Sequence, residues 1–426
     1  MSEDFLHYIW RFQLFNQNEL RLISGEELTI LRVGQMNQDA GPDFFNSLVK
    51  IGRTQWAGNI EIHYCASDWN KHGHQNDESY DKVILHVVWK NDQVLFRSDG
   101  SEIPTLELSG RVKKKLLDRY ENLIRESYSI PCHSFLNEID PLILNMQLDR
   151  MMSERLEKKS KRIQQLLGLY QGDWESTLYQ LLGKYFGFKV NTVPFELLTT
   201  SLPLKIVRKH KTDLLEIEAL LFGQAGMLEE KLQSNYALQL KEIYEYLKIK
   251  HKLQSIERSA WKYARLRPAN FPTIRIAQFA QLWHKHDNLF QKLVDACEID
   301  EVVELFQLKV SNYWTSHYRF GVMAQRKEEK SLGLSSIHSL LINVVVPILF
   351  TYGEHSMSDQ LMQKAMEWLE QLPSEENKIV KEWGKYNIVP INASNSQGLI
   401  QLKTVHCENK NCLNCAIGMS ILKLNQ

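Results

Sequence analysis

Residues 41–89 read GPDFFNSLVKIGRTQWAGNIEIHYCASDWNKHGHQNDESYDKVILHVVW. Asp43, Glu61, Asp68 and Asp77 stand in this stretch with His63, His72, His74 and His86, so that four of the chain's 14 histidines fall between residues 63 and 86. Carboxylates and imidazoles at this density are the donors of a divalent cation. Oxygen donors suit Mg²⁺ or Mn²⁺, and imidazole beside carboxylate suits Zn²⁺, Mn²⁺ or Fe²⁺. A cation held this way activates a water and stabilises the leaving group of a phosphodiester. Asp43, Glu61 and His63 are therefore the candidate catalytic residues, and His72, His74, Asp77 and His86 the candidate metal ligands, for Mg, Mn or Zn. The competing reading makes His86 a core histidine bonded to backbone, and His72 and His74 solvated loop residues.

The spacing sharpens the expectation. Gly41-Pro42-Asp43 makes a turn that delivers an aspartate to the start of a strand. Glu61 and His63 lie two apart within a strand and so share one face, with Ile60, Ile62 and Tyr64 on the other. Residues 69–77 read as a loop in which Gly73 separates two imidazoles. The site is expected on the open edge of a small sheet. Pro42-Asp43 followed by Glu61-x-His63 resembles the PD-(D/E)xK nuclease superfamily, with histidine in place of its lysine. The resemblance implies that Asp43 and Glu61 bind metal and that His63 orients or polarises the attacking water. Lysine carries a fixed charge, whereas histidine titrates near neutrality.

A second cluster lies near the end of the chain. Cys407, Cys412 and Cys415 form C-x4-C-x2-C, close enough to converge on one metal. Zinc or an iron–sulfur cluster is the expected occupant, and either needs a fourth ligand. Candidates are His406 or Cys132 for zinc, and Cys132 or Cys297 for a cluster. Three reduced buried thiols, or a redox pair of Cys412 and Cys415, are the alternatives.

Residues 258–286, RSAWKYARLRPANFPTIRIAQFAQLWHKH, hold no acidic residue and interleave arginines with aromatics. Arginine forks grip phosphates and aromatic faces stack bases, so Arg265, Arg267 and Arg275 are candidate contacts for DNA or RNA. The alternative is a helix pair with aromatics in its core and a solvated basic face. The segments GNIEIHYCASDWNKHGHQNDESYDKVILHVVW, WKYARLRPANFPTIRIAQFAQL and GLIQLKTVHCENKNCLNCAIG resemble an uncharacterised bacterial family, the domain of unknown function 2851. That resemblance covers nearly the whole chain and implies no activity.

The elements that must position these residues change character along the chain. Residues 4–16 carry apolar groups at helical spacing. Strands are expected at 28–33, 47–51, 58–64, 82–89 and 94–97, in a mostly antiparallel or mixed sheet. Beyond residue 112 long amphipathic segments dominate, at 142–167, 174–186, 228–249, 274–285, 340–350, 358–372 and 376–386. A short strand is expected at 399–405. The fold class is α+β: a small sheet domain over 1–110, a helical domain over 111–395 and a cysteine segment over 396–426.

Composition fits a globular chain, 43% apolar and 24% charged, with 11 prolines and 20 glycines in 426 residues. Net charge is zero but uneven, because residues 1–110 hold nine Lys and Arg against sixteen Asp and Glu. An acidic front suits a cation, and a mildly basic remainder suits a polyanion. The N-terminus lacks the charged and apolar regions of a signal peptide, and the 340–350 run is too short to span a bilayer, so a cytoplasmic protein without membrane association is expected. The functional expectation is a metal-dependent nuclease or phosphodiesterase. The alternatives are a non-catalytic, metal-stabilised protein that binds nucleic acid or another protein, and a metal hydrolase of small molecules.

Overall fold

The computed structural model describes every residue except 1, 38, 98, 126–127, 230–231 and 424–426. It divides into two compact units, Met1–Gln147 with Leu402–Gln426, and Leu148–Gln401. The composition shifts along the sequence put divisions at 110/111 and 395/396. In the structure the division falls within one long helix instead, and the cysteine segment joins the sheet unit.

The first unit opens with α1 (Glu3–Arg11), whose Phe5, Leu6, Ile9 and Trp10 are fully buried. A mixed sheet follows: β1 (Leu28–Arg32), β2 (Gln35–Met36), β3 (Phe44–Ile51), β4 (Thr54–Cys65), β5 (Val83–Lys90) and β6 (Thr105–Glu107). The order is β1-β3-β4-β5-β6, with β2 also paired to β3. β1 and β3 run antiparallel, as do β3 and β4, whereas β4–β5 and β5–β6 are parallel.

Chain geometry explains the switch. Ile51 pairs with Thr54, so Gly52-Arg53 is a two-residue hairpin, and Gly52 takes the positive φ that such a turn needs. Residues 66–82 then cross back to bring β5 parallel to β4, as parallel pairing requires. That crossover carries α2 (Asp68–Lys71) and two single 3-10 turns, His74–Asn76 and Glu78–Tyr80. A Cβ on Gly58 of β4 would stand 2.4 Å from Ile84 Cγ2 and 2.6 Å from the Lys82 carbonyl, so glycine sets how closely the two parallel strands approach. The expected strand at 94–97 is only a single bridge between Phe96 and Glu102, and the fifth long-path strand is β6 instead. The helix α3 (Lys114–Arg125) follows.

The second unit begins within α4 (Pro141–Leu169) and is almost entirely helical. Its first members are α5 (Trp174–Phe186), α6 (Thr192–Ser201), α7 (Leu204–Lys209), α8 (Leu214–Gln224), α9 (Asn235–His251) and α10 (Pro272–Lys285). Asp173 caps α5 by accepting from the Glu175 and Ser176 amides. The helix expected from 228 starts only at Asn235, where Ser234 caps it, and residues 230–231 lie outside the described ones. One aliphatic and aromatic core runs from Met152 to Ala393 and includes Phe195, Phe222, Phe279 and Trp314. Glu218 of α8 lies inside it, 1% exposed. Tyr236 and Ser311 donate hydroxyl hydrogen bonds to its two oxygens at 2.7 and 2.8 Å, and Trp314 Nε1 donates to Tyr236 at 3.1 Å.

Two expected elements differ in this region. The helix expected at 340–350 extends over Leu334–Ser356, because i→i+5 turns at Leu341–Val345 absorb the missing donor of Pro347. At 23 residues it is long and apolar enough to cross a membrane, and 61% of its most apolar stretch is buried in the protein. The strand expected at 399–405 is helix Ala393–Gln401 running into i→i+5 turns at Leu402–Cys407. Its apolar run is a buried helix face, and a short run of that kind has no periodicity that separates helix from strand.

Candidate functional site

β4 is central in the sheet, flanked by β3 and β5, so the site is not on an open edge. Glu61 pairs with His86 of β5, and His63 pairs with Val88. Paired residues on parallel strands point to the same side, which places Glu61, His63 and His86 on one face. The crossover brings His72 and His74 to these residues, helped by a positive φ at Gly73. Trp69 and Tyr80 pack the same segment with Val83, Val88 and Ile103, and the Tyr80 ring stacks on His74 at 3.8 Å.

The ligand atoms of His63, His72 and His74 all lie within 4.8 Å of one another. His63 Nε2 stands 3.1 Å from His72 Nδ1, and its Nδ1 shares a 2.8 Å hydrogen bond with His86 Nε2. Glu61 Oε1 lies 3.3 Å from His74 Nε2 and 3.5 Å from His63 Nε2. This is an imidazole cluster with one carboxylate oxygen turned into it. His86 is fully buried and stands behind His63 rather than in the cluster. By engaging Nδ1 it fixes the ring and leaves Nε2 to face His72 and Glu61, the arrangement that orients metal-ligating histidines. His86 Nδ1 is buried and, among the described residues, has no hydrogen-bond partner.

Burial and crowding disfavour a second ring proton on His63, His74 and His86. Burial, then the neighbouring His86, His74 and His72, pull His63 down to about 2. Burial brings His86 down to about 3, and burial with His72 lowers His74. Each of these rings therefore keeps one ring nitrogen with a free lone pair to offer near neutrality, the other carrying its N–H. Glu61 is pushed well above the usual carboxylate range by burial first and by Asp43 second. A cation at this position would reverse that preference by supplying the missing positive charge.

Asp43 approaches the cluster from the start of β3. Its amide donates to Glu61 Oε2 at 3.1 Å, and its Oδ2 accepts from the Ile62 amide at 2.8 Å. His7 Nε2 stands 3.2 Å from the same Oδ2. Burial disfavours charge on His7, but Asp43, with Asp4 and Glu3, outweighs it and raises its pKa. His7 also lines a cavity of about 670 Å³ together with Arg11, Tyr120, Lys410 and Cys412. Neither His7 nor Tyr80 stands out as a site residue in the sequence. The one signal for His7 is a histidine within an otherwise apolar helix that opens with Glu3 and Asp4.

Other expected residues sit elsewhere. Asp77 caps the turn Glu78–Tyr80 by accepting from the Ser79 amide at 2.9 Å, and bonding to Ser79 lowers its pKa. It is exposed and is not one of the clustered donors. Arg265 and Arg267 are exposed, but Arg275 is 5% exposed. Its guanidinium donates to Asn270, Gln278 and Ser336 and lies 4.3 Å from the Phe188 ring centre. Arg275 is thus an internal strut and offers no fork to a phosphate. Trp261, Phe279 and Trp283 are likewise core, in line with the helix-pair alternative. Cys407 and Cys415 are buried and Cys412 half-buried. None of the six cysteines is in a disulfide.

Fold and site together define an α+β protein with an imidazole and carboxylate cluster on the parallel part of a mixed sheet. The chain belongs to the family described as protein of unknown function (DUF2851), whose model matches residues 3–378. No curated protein and no solved structure matches it.

Proposed function

We propose that this protein is a metal-dependent phosphodiesterase acting on nucleic acid. The observation that carries the reading is the set of three imidazoles within 4.8 Å of one another, with Glu61 Oε1 beside two of them. Three nitrogens and an oxygen favour Zn²⁺ or Mn²⁺ over Mg²⁺. The metal would supply a water of lowered pKa and charge to stabilise the leaving oxygen. His63, His72 and His74 would hold it, with Glu61, while His86 fixes the His63 ring. Asp43 positions Glu61 through its amide. His7, 3.2 Å from Asp43 and lining the cavity, would give a proton to the leaving oxygen. The cavity is of nucleotide size and carries Arg11 and Lys410 on its wall.

The Pro42-Asp43 and Glu61-x-His63 spacing supports the nuclease reading through its resemblance to the PD-(D/E)xK superfamily. The departure at His63 is consistent with a ligand role, since a neutral imidazole cannot supply lysine's charge. The second reading is a metal-stabilised binding protein without turnover. It is favoured by the burial of Arg275, which leaves fewer free cations for a phosphate backbone.

The test is cleavage of labelled DNA and RNA with Mg²⁺, Mn²⁺ or Zn²⁺, comparing wild type with Glu61→Ala and His72→Ala. Thermal midpoints with and without each metal are measured alongside. Cleavage and a metal-induced rise, both lost in the two variants, support the enzyme. A metal-induced rise without cleavage supports the binding protein. Neither effect in folded wild type overturns the metal site.

A further inference from the structure

We propose that the second unit carries a binding site for a small phosphate ester, in the cavity between α4, α5 and the widened turns at Leu341–Val345. The phosphate meets Arg162, Tyr185 and the charge of Lys159, and the apolar body of the ester lies along Leu166, Leu181 and Pro347.

Helix spacing assembles the walls. Lys159, Arg162, Ile163 and Leu166 recur at steps of three and four along α4 and so share one face. Leu181, Lys184 and Tyr185 do the same on α5. These faces line a cavity of about 410 Å³, within the size range of small-molecule sites. Asn343 and Pro347 line it from the helix Leu334–Ser356. The i→i+5 turns that hold Asn343 are a local irregularity of the kind that recurs at functional sites.

The polar floor is a network of hydrogen bonds. Lys159 Nζ donates to Asn343 Oδ1 and Gln397 Oε1, both at 3.0 Å, and to the Ile342 carbonyl at 3.3 Å. Gln397 Oε1 also accepts from Arg155 Nε at 2.7 Å. Both amides turn their nitrogens to Glu375, Asn343 Nδ2 at 2.8 Å and Gln397 Nε2 at 2.6 Å. Two cations thus share neutral acceptors, and the carboxylate that the network reaches stands one amide removed from each. Hydrogen bonding is satisfied there and charge is not.

Three acceptors around Lys159 call for an ammonium, because a neutral amine has only two N–H groups to give. Burial first and Arg155 second work against that charge and bring Lys159 down to about 7, with Glu375 opposing them. An anion in the cavity resolves the conflict by favouring the ammonium. Lys184 and Glu196, also on the wall, neutralise each other at 2.9 Å. Among the described residues, neither Arg162 nor the Tyr185 hydroxyl has a hydrogen-bond or ion-pair partner, so both are free to donate to a ligand. A guanidinium fork and a hydroxyl from two different helices, with an ammonium charge at the floor, suit the three oxygens of a phosphate better than the two coplanar oxygens of a carboxylate.

The experiment is isothermal titration calorimetry of the full chain, with a chelator present to keep cations off the histidine cluster. The probes are phenyl phosphate, inorganic phosphate and benzoate. Phenyl phosphate should bind the wild type, and the other two should bind more weakly. Arg162 is exposed, so Arg162→Ala should fold as wild type does and weaken phenyl phosphate by about tenfold. Tyr185→Phe should weaken it by a smaller factor. Lys161→Ala removes a charge from the same helix outside the cavity and should leave the affinity unchanged. Inorganic phosphate binding as tightly as phenyl phosphate overturns the role of the apolar wall, and benzoate binding as tightly overturns the choice of phosphate. No binding of phenyl phosphate by folded wild type, or undiminished affinity in Arg162→Ala, overturns the site itself.

Discussion

Replacing Glu218 with glutamine should reshape how stability depends on pH. Burial raises this carboxyl to about 7, although Tyr236 and Ser311 both donate to it and pull the other way. In the unfolded chain it titrates near 4.5. Below that value it is protonated in both states and costs nothing. Between 4.5 and 7 the unfolded state releases its proton while the folded state keeps it, so stability falls as pH rises. Above 7 both states are ionised and the loss is complete. The interval of about 2.5 pH units, at 1.36 kcal/mol each, corresponds to roughly 3 kcal/mol. Glutamine keeps one oxygen for one hydroxyl donor, offers an amide N–H to the oxygen of the other as a protonated carboxyl offers its O–H, and has no proton to exchange. Glu218→Gln should therefore match wild type near pH 4.5 and exceed it by up to about 3 kcal/mol at pH 8. Urea unfolding followed by tryptophan fluorescence at several pH values measures this. Stability curves that run parallel for the two proteins across that range would show that Glu218 carries no such penalty.

Three further substitutions test the frame around the sites and the basic segment. Gly58→Ala should cost about 2 kcal/mol by pushing β4 off Lys82 and Ile84 of the parallel neighbour, read as a lower thermal midpoint, and should weaken metal binding at the histidines. Arg275→Ala should cost about 3 kcal/mol by removing a buried guanidinium from three partners. Its affinity for a labelled oligonucleotide should stay at the wild-type value, whereas Arg265→Ala should lower any such affinity.

The sheet is legible in the sequence where a strand alternates or is bounded by turns. The expected strands at 28–33, 47–51, 58–64 and 82–89 all coincide with β1, β3, β4 and β5 to within a few residues, and the shared face of Glu61 and His63 follows from period two alone. The trespass of His72 and His74 onto that face shows in the sequence only as a local excess of histidine, because the crossover that delivers them depends on long-range strand pairing. His7 is hidden for the same reason, since its partner Asp43 is 36 residues away and only packing joins them. The arginines show the opposite limit. Composition marks Arg265, Arg267 and Arg275 alike, yet burial separates them, and burial is a property of the assembled helices. Residues 399–405 mislead because a fully buried helix and a buried strand present the same apolar run.

The sheet unit is discontinuous, with residues 402–426 completing what 1–147 begin. On the ribosome, where synthesis runs from the N-terminus, the histidine-bearing strands emerge early. One wall of the cavity beside His7, formed by residues 405–414, emerges only after the entire helical unit. For all that interval the nascent first unit has Tyr8, Phe12 and Tyr120 facing a gap. A chain interrupted during synthesis of the helical unit would keep the catalytic candidates but not the pocket. Under the proposed function, activity would thus report on translation having run through to residue 414, a form of quality control by topology.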